Sequence, residues 1–232
     1  MTDGPVIHLD HQATTPLDPR VLDAMEPWLR APAANPHARN RPGFRAAEAL
    51  EAARAQVAGL LGVNPLEIVW TSGATEANNL GVKGAARAAR ARGRDHVVTT
   101  AIEHPSVLEP CRRLAAEGFR VEVLPVGPDG LLDPALLAAR LTPRTALVSV
   151  MAANNEVGTL QPLEPVAQAC RAQGAAFHTD AAQAFGKVPL DGGVADLVSV
   201  TAHKLHGPPG IGALRIRRGL AVEPLLEGGG QE

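Results

Sequence analysis

Short apolar segments alternate with helical patterns along most of this chain. Apolar and β-branched residues cluster in segments of strand length, at 67–72, 95–100, 120–126, 145–152, 175–183, 195–202 and 211–217. Between them, apolar residues recur at helical spacing in the segments 41–62, 75–93, 106–118, 133–141 and 163–174. Glycines end several of the helical segments, as is common for helices. The pattern predicts a domain in which strands and helices alternate.

The order of these elements restricts the topology. Strands joined by helices form right-handed crossovers, which place the strands parallel in one sheet with helices packed around it. Only a short loop joins the segments 195–202 and 211–217, so this pair is predicted to be antiparallel. The predicted fold is therefore an α/β domain with a mostly parallel seven-stranded sheet, one antiparallel strand and flanking helices.

Composition and charge narrow the range of functions. The chain has 232 residues, 45% of them hydrophobic, and a formal net charge of −2. It is long enough for one large domain with a core, and its near-neutral balance offers no basic surface for nucleic acid. No apolar run is long enough to span a bilayer, and the first residues do not resemble a signal peptide. We therefore expect a cytoplasmic protein that binds neither nucleic acid nor membranes.

The cysteines and histidines do not predict a metal site. The two cysteines, Cys111 and Cys170, lack the spacing of metal ligands, and each falls within a predicted helix. A free cysteine is usually a small buried hydrophobic residue. His203 and His206 are close in sequence but have no evident third ligand. No metal is expected.

Polar residues collect where the predicted strands end. In an open parallel sheet, ligands bind beyond the carboxyl ends of the strands. The residues at these ends are Ala74, Thr75, His104, Asn154, Asn155, Asp180, Gln183, Thr201, His203 and Lys204. Each feature has an ordinary alternative explanation: a capped turn, a surface histidine, an asparagine turn, a helix N-cap or a surface lysine. Their concentration at one edge of the sheet favours a binding site.

A lysine, a carboxylate and an anion-binding turn at one sheet edge suit pyridoxal phosphate. The Lys204 amine can form a Schiff base with an aldehyde. Asp180 can pair with the pyridinium nitrogen, so that the ring serves as an electron sink. The turn at 73–75 begins a helix, where backbone N–H groups and the helix dipole favour a phosphate. The other polar side chains can complete a ring site, with Gln183 or Asn155 at the phenolic oxygen and His104 on one ring face.

Several longer motifs run in a fixed order along essentially the whole chain. They are LDHQATTPLDPRV (9–21), NPHARNRPG (35–43), EIVWTSGATEANNLGVKG (67–84), IEHPSVLEPCRRLAAEGFRVEVLPV (102–126), NNEVGTLQP (154–162), FHTDAAQAFGKVPLD (177–191), TAHKLHGPPGIGAL (201–214) and EGGGQE (227–232). As a set they are highly specific. They resemble the cysteine desulfurases, in the class V aminotransferase group of fold type I pyridoxal-phosphate enzymes, over the N-terminal portion of that family's chains.

The resemblance implies a role for each residue at the strand ends. Lys204 would carry the Schiff base to pyridoxal 5′-phosphate, Asp180 would pair with the pyridine nitrogen, and His104 would stack on the ring and act as acid and base. The other contacts would be Gln183 at the phenolic oxygen, Asn155 beside it, and Ala74, Thr75, Thr201 and His203 on the phosphate side. The chain has Thr-Ala-His-Lys at 201–204 where the family often has Ser-Gly-His-Lys. Thr201 retains the hydroxyl group, and Ala202 adds only a methyl group.

The same resemblance implies a reaction and partners. The family removes sulfur from L-cysteine, giving L-alanine and an enzyme-bound persulfide that feeds iron–sulfur cluster assembly, tRNA thiolation or related pathways. It also implies a homodimer and a sulfur-acceptor protein such as an iron–sulfur scaffold. Two alternatives stay open. One is another class V enzyme, such as a selenocysteine lyase or a cysteine sulfinate desulfinase; the other is a non-catalytic scaffold or fragment that retains the fold.

The family's chains continue well beyond the last residue of this sequence. By the resemblance, residues 1–15 would pack with a small domain, residues 16–232 would form the cofactor-binding large domain, and the C-terminal small domain would be missing. The missing part would carry the sulfur-accepting cysteine, which Cys111 and Cys170 are not expected to replace. We therefore expect a truncated chain that has the cofactor residues but lacks the persulfide cysteine.

Overall fold

Seven strands form one mixed sheet in the computed structural model of the protein, which describes residues 7–31 and 34–229. The strands are β1 (Ile68–Thr71), β2 (His96–Thr100), β3 (Arg120–Leu124), β4 (Thr145–Ser149), β5 (Ala176–Asp180), β6 (Leu197–Thr201) and β7 (Gly212–Ile216). Their spatial order is β1-β7-β6-β5-β4-β2-β3. Strand β7 is antiparallel to both neighbours, β1 and β6, and the other pairs are parallel. The predicted sheet is confirmed.

Helices cover both faces of the sheet. They are α1 (Pro19–Arg30), α2 (Arg41–Leu61), α3 (Ala74–Asn79), α4 (Ala85–Arg90), α5 (Pro105–Ala116), α6 (Pro134–Arg140) and α7 (Leu163–Gln173). A π turn at Leu80–Gly84 joins α3 to α4 in one continuous helical segment. Within the described ranges, none of the helices has the length and apolar character needed to cross a membrane.

Alternate residues of the central strands point to opposite faces and build two hydrophobic cores. On one face, Val97, Leu147 and Leu197 pack with apolar residues of α3, α4 and α5. On the other face, Val98 and Val148 pack with apolar residues of α2, α6 and α7. Both faces of these strands are therefore apolar, which is why they form continuous apolar runs in the sequence.

Helix α1 is not among the helices predicted from the sequence, although apolar residues recur along it at helical spacing. None of its residues is buried, and Pro27 lies within it. Its first turn does carry a recognisable signal, because Asp18 accepts a hydrogen bond from the Arg20 N–H and Pro19 takes the first helical position. The capping residues and this apolar spacing together mark the helix in the sequence.

The predicted helix 75–93 departs from α geometry where it packs most closely. Gly81 and Gly84 lie in the π turn. A Cβ on Gly81 would lie 3.1 Å from His178 Cδ2, and a Cβ on Gly84 would lie 2.5 Å from the Glu223 carbonyl oxygen. The helical segment thus lies directly on β5 on one side and on the chain after β7 on the other, which explains its glycines.

The start of β7 lies against the turn that follows β1. A Cβ on Gly212 would lie 2.6 Å from the Val200 carbonyl oxygen and 2.7 Å from Gly73 Cα. Because both are backbone atoms, no side-chain rotation can relieve such a contact. Glycine at position 212 therefore allows the turn at Gly73 to approach the sheet.

Replacing Gly212 by alanine is expected to destabilise the protein. The added methyl group must displace the backbone of β6 or of the Gly73 turn, at a cost of roughly 1–3 kcal/mol. Gly59→Ala is the matched control, because Gly59 lies inside α2 and an added Cβ meets nothing within 4 Å. Alanine there is expected to stabilise the helix by about 0.5–1 kcal/mol.

Urea denaturation followed by circular dichroism gives both free energies of unfolding. If Gly212→Ala matched the wild type, the close packing of β7 against the Gly73 turn would be contradicted.

Candidate active site

A cavity of about 700 Å³ opens at the carboxyl ends of β1, β2, β4, β5 and β6. All the site residues predicted from the sequence line it: Ala74, Thr75, His104, Asn155, Asp180, Gln183, Thr201, His203 and Lys204. The sheet order explains how they meet, since β5 lies between β4 and β6. Strand β7 lies between β6 and β1 and is antiparallel to both, so the carboxyl ends of β6 and β1 are at the same edge of the sheet. The structure therefore places these nine residues around one space, whereas Asn154, which also follows β4, does not line it.

Lys204 lies in the short helical turn Ala202–Lys204 that follows β6. Its side chain is half-buried, and Nζ donates a hydrogen bond to the Gln12 carbonyl oxygen. Burial lowers the pKa of Lys204, while the neighbouring carboxylates of Asp180 and Asp10 oppose this effect. A lowered pKa increases the fraction of neutral amine, which is the form that attacks an aldehyde.

Asp180 closes β5 and is only 6% exposed. Its Oδ1 accepts a hydrogen bond from the Ala182 N–H at 2.9 Å, and its Oδ2 accepts one from Asn78 Nδ2 at 2.7 Å. Burial raises the pKa of Asp180, and these hydrogen bonds and the neighbouring His104 and Lys204 oppose the rise. The partners that touch the carboxylate are neutral, so a cationic ring nitrogen in the cavity would stabilise its ionised form.

The turn after β1 has the features of an anion site. Gly73 has a φ of 150°, which favours glycine, and Thr71 Oγ1 donates to its carbonyl oxygen at 3.1 Å. The helical segment begins at Ala74, so its first N–H groups have no partner within the helix. Thr201 Oγ1 faces the same turn, 3.7 Å from where a Cβ on Gly73 would stand. These groups fit a phosphate.

The two asparagines after β4 have different surroundings. Asn154 is 8% exposed, and its Oδ1 accepts hydrogen bonds from the Glu156 and Val157 N–H groups, each at 2.9 Å. It therefore has the asparagine-turn role that the sequence offers as the ordinary alternative. Asn155 lines the cavity, so it is the candidate for contact with a ligand.

The two predicted histidines each have one ring nitrogen engaged. His104 is the N-cap of α5, where its Nδ1 accepts a hydrogen bond from the Ser106 N–H at 3.1 Å. Nδ1 of His203 lies 3.2 Å from Thr14 Oγ1. Burial lowers the pKa of His203, and the adjacent Lys204 lowers it further. Both rings face the cavity.

A segment that sequence analysis does not assign to the site lies across it. The Gln12 carbonyl oxygen accepts hydrogen bonds from Gln183 Nε2 at 2.9 Å and from the Lys204 ammonium. The Thr15 N–H donates to the His203 carbonyl oxygen at 2.9 Å. In the sequence, this segment is marked only by its place in the motif at 9–21, because backbone carbonyl contacts leave no residue-type signal.

The predicted packing of residues 1–15 with a small domain stays a prediction. Residues 1–6 lie outside the described residues, as do 230–232 of the motif at 227–232. The described part of the N-terminal segment contacts the large domain through the hydrogen bonds of Gln12 and Thr15.

Glu103 is a buried acid beside the site that sequence analysis does not single out. It is 4% exposed, and its Oε1 accepts hydrogen bonds from the Met151 N–H at 2.8 Å and from Thr100 Oγ1 at 2.7 Å. Within the described part of the chain, its Oε2 is buried without a hydrogen-bond partner. Burial raises the pKa of Glu103 to about 8. Glu103 thus ties the loop before His104 to the end of β4.

Both cysteines lie away from the cavity. Cys111 in α5 and Cys170 in α7 are each 1% exposed. Burial raises the pKa of each thiol to about 12. A protonated, inaccessible thiol is a poor nucleophile, which agrees with the expectation that neither cysteine accepts sulfur.

Comparison with known proteins identifies the family of this fold and site. The family model for Aminotransferase class-V matches residues 7–232. The chain belongs to the class V aminotransferase family. The resemblance found in the motifs is thereby confirmed.

Individual relatives show which members of the class V family this chain is similar to. A cysteine desulfurase of Mus musculus is 53% identical over 231 residues, which are 97% of this chain and 50% of the relative. Among solved structures, a NifS-like protein aligns with a TM-score of 0.92 at 42% identity, over 96% of this chain and 62% of that chain. SspA in complex with cysteine aligns with a TM-score of 0.91 at 39% identity, over 96% and 65%. The chain spans about half the length of the curated relatives it matches.

Glu103 is expected to make the protein less stable as the pH rises. A glutamate ionises near 4.5 in the unfolded chain but near 8 in the folded protein. Between these values the unfolded state has released a proton that the folded state retains, so raising the pH favours unfolding. Glu103→Gln has no ionisable group at this position. The free energy of unfolding of the variant minus that of the wild type should therefore increase up to about pH 8 and stay constant above it.

Urea denaturation at several pH values measures the difference. Glu109→Gln is the control, because Glu109 is exposed on α5. A difference between Glu103→Gln and the wild type that did not change with pH would contradict the raised pKa.

Neither cysteine is expected to react with an aromatic disulfide reagent while the protein is folded, because both thiols are buried and protonated. Both should react once denaturant is added. The thiolate released from the reagent is measured by absorbance, and rapid labelling of either residue in the folded protein would contradict the burial described here.

Proposed function

We propose that the chain forms the cofactor-binding domain of a pyridoxal-phosphate-dependent cysteine desulfurase. The cavity that brings Lys204, Asp180 and the Gly73 turn together carries the proposal. Membership in the class V aminotransferase family makes pyridoxal phosphate the expected cofactor, and relatives named cysteine desulfurase match nearly the whole chain. Because the chain spans about half the length of those relatives, the complete reaction belongs to the proposal.

The residues present fit the cofactor. The Lys204 amine, with its lowered pKa, would bond covalently to the aldehyde carbon. Asp180 would hold the proton on the ring nitrogen, and the Gly73 turn with Thr201 would bind the phosphate. When bound, pyridoxal phosphate supplies an electron sink for the α-carbon of an amino acid.

The remaining residues would orient the ring and move protons. Gln183 Nε2 carries two hydrogens, of which one binds the Gln12 carbonyl oxygen and the other can be donated to the phenolic oxygen. Asn155 lies beside that position in the cavity lining. His104 would lie on one face of the ring and act as acid and base. Ala74, Thr75 and His203 would complete the phosphate side.

The proposed reaction converts L-cysteine to L-alanine. The Cβ–S bond breaks, the sulfur joins an acceptor thiol as a persulfide, and a proton replaces the sulfur on Cβ. The structurally similar SspA is described in complex with cysteine. Because both cysteines of this chain are buried, the acceptor thiol would lie elsewhere. A homodimer, a sulfur-accepting protein such as an iron–sulfur scaffold, and a cytoplasmic location are further parts of the proposal.

Pyridoxal phosphate added to the purified protein is expected to give a visible absorption band that depends on Lys204. Lys204→Ala should abolish the band, because it removes the amine that bonds to the aldehyde. Lys187→Ala is the matched control. Its Nζ contacts Gln183 and Gln12, but Lys187 does not line the cavity.

Adding L-cysteine should then shift the band of the wild type, and chromatography with a thiol acceptor present would detect alanine. An equal band in Lys204→Ala would contradict the covalent role of this lysine. The absence of a band in the wild type would contradict the cofactor itself.

A further inference from the structure

A buried chain of hydrogen bonds lies behind the cavity wall. Asn78 in α3 is fully buried, and its Nδ2 donates hydrogen bonds to Asp180 Oδ2 at 2.7 Å and to Ser106 Oγ at 2.8 Å. Ser106 Oγ lies 2.7 Å from His104 Nδ1. The Asp180 carboxylate and the His104 imidazole are thus connected through two intervening side chains.

The donor and the acceptor of each bond are fixed by chemistry. An amide nitrogen can only donate, so Ser106 Oγ accepts from Asn78. Because His104 Nδ1 accepts from the Ser106 backbone N–H at 3.1 Å, it is unprotonated, and the Ser106 hydroxyl donates its proton to it. Nδ1 accepts both bonds and carries no proton, so the neutral imidazole has its proton on Nε2.

The orientation of Asn78 cannot be reversed. Exchanging its amide oxygen and nitrogen would place Oδ1 against the Asp180 carboxylate, and two acceptors would then face each other. In the present orientation Oδ1 is buried, and no described residue donates a hydrogen bond to it. A buried carbonyl without a partner costs free energy. The amide at position 78 therefore contributes through its two N–H groups.

We infer that Asn78 is a positioning residue of the site. Asn78 does not line the cavity, so it acts through the side chains that do. One N–H group orients the Asp180 carboxylate towards the ring nitrogen, and the other acts through Ser106 to set the His104 tautomer. His104 then exchanges protons with a ligand at Nε2. The action on the ring rests on the proposed function, whereas the link to His104 does not.

The His104 tautomer can be measured without any cofactor. Two-bond couplings in a ¹H–¹⁵N spectrum distinguish a protonated Nε2 from a protonated Nδ1, and His104→Gln assigns the signal. The wild type should show the Nε2–H tautomer. Asn78→Leu keeps the side-chain volume but removes both donors, so Ser106 Oγ can turn to accept from Nδ1–H. The fraction of the Nδ1–H tautomer should therefore rise above that of the wild type, although the Ser106 backbone N–H still favours Nε2–H.

The affinity for the cofactor tests whether Asn78 orients the Asp180 carboxylate. Asn78→Leu is expected to weaken pyridoxal phosphate binding roughly tenfold or more, as is usual when a charged group loses a hydrogen bond. The affinity is obtained by titrating the visible band. Asn79→Leu is the matched control and should behave as the wild type, because the Asn79 side chain donates to the Thr75 carbonyl oxygen within its own helix.

The tautomer and affinity measurements together distinguish a failure of this inference from a failure of the proposed function. An unchanged tautomer in Asn78→Leu overturns the inference, and so does unchanged affinity. If the wild type shows no band, the proposed function fails, and the tautomer measurement alone decides the role of Asn78. If Asn78→Leu does not fold, Ser106→Ala breaks the chain at its next bond with a smaller change. Ser106→Ala should shift the same tautomer, and a wild-type tautomer there overturns the inference.

Discussion

The burial of a carboxylate at the end of β5 is the constraint on which the site depends. Asp180 closes a strand whose last residues are all buried, and an ionised group in such a place needs hydrogen-bond donors. The nearest donors are Asn78 from the overlying helix and the N–H of Ala182 from the following turn. Helix α3 begins at the anion-binding turn, and β5 bears the carboxylate. One short hydrogen bond, from Asn78 to Asp180, therefore joins these two elements. The Gly73 turn and the Asp180 carboxylate therefore keep a fixed separation.

The sheet and the polar residues at the strand ends that line the cavity can be predicted from the sequence because both depend on short-range patterns. Strands buried on both faces give continuous apolar runs, and their parallel direction follows from the helices that connect them. Residues that follow such runs meet at one edge, so Asp180 and Lys204 can be predicted to be neighbours without any contact information. The antiparallel β7 follows from the length of a single loop.

The residues that sequence analysis misses act over long sequence separations or through the backbone. Asn78 lies in mid-helix, 102 residues from its partner Asp180, and nothing in its local pattern distinguishes it from Asn79. Glu103 directly precedes His104 in the sequence. Its buried carboxylate accepts a hydrogen bond from the Met151 N–H, 48 residues away, and no spacing rule predicts this contact. Gln12 contributes a carbonyl oxygen, which every residue possesses.

The position of β7 has a consequence for synthesis on the ribosome. β1 enters the sheet only through β7, with Ile68 opposite Arg215, so the first strand made must wait for the last. The strands from β2 to β6 pair with one another and can form a core meanwhile. The nascent chain therefore exposes Lys204 before its anion-binding turn is in place. The Gly73 turn can take its place beside Thr201 only once residues 212–216 have left the exit tunnel.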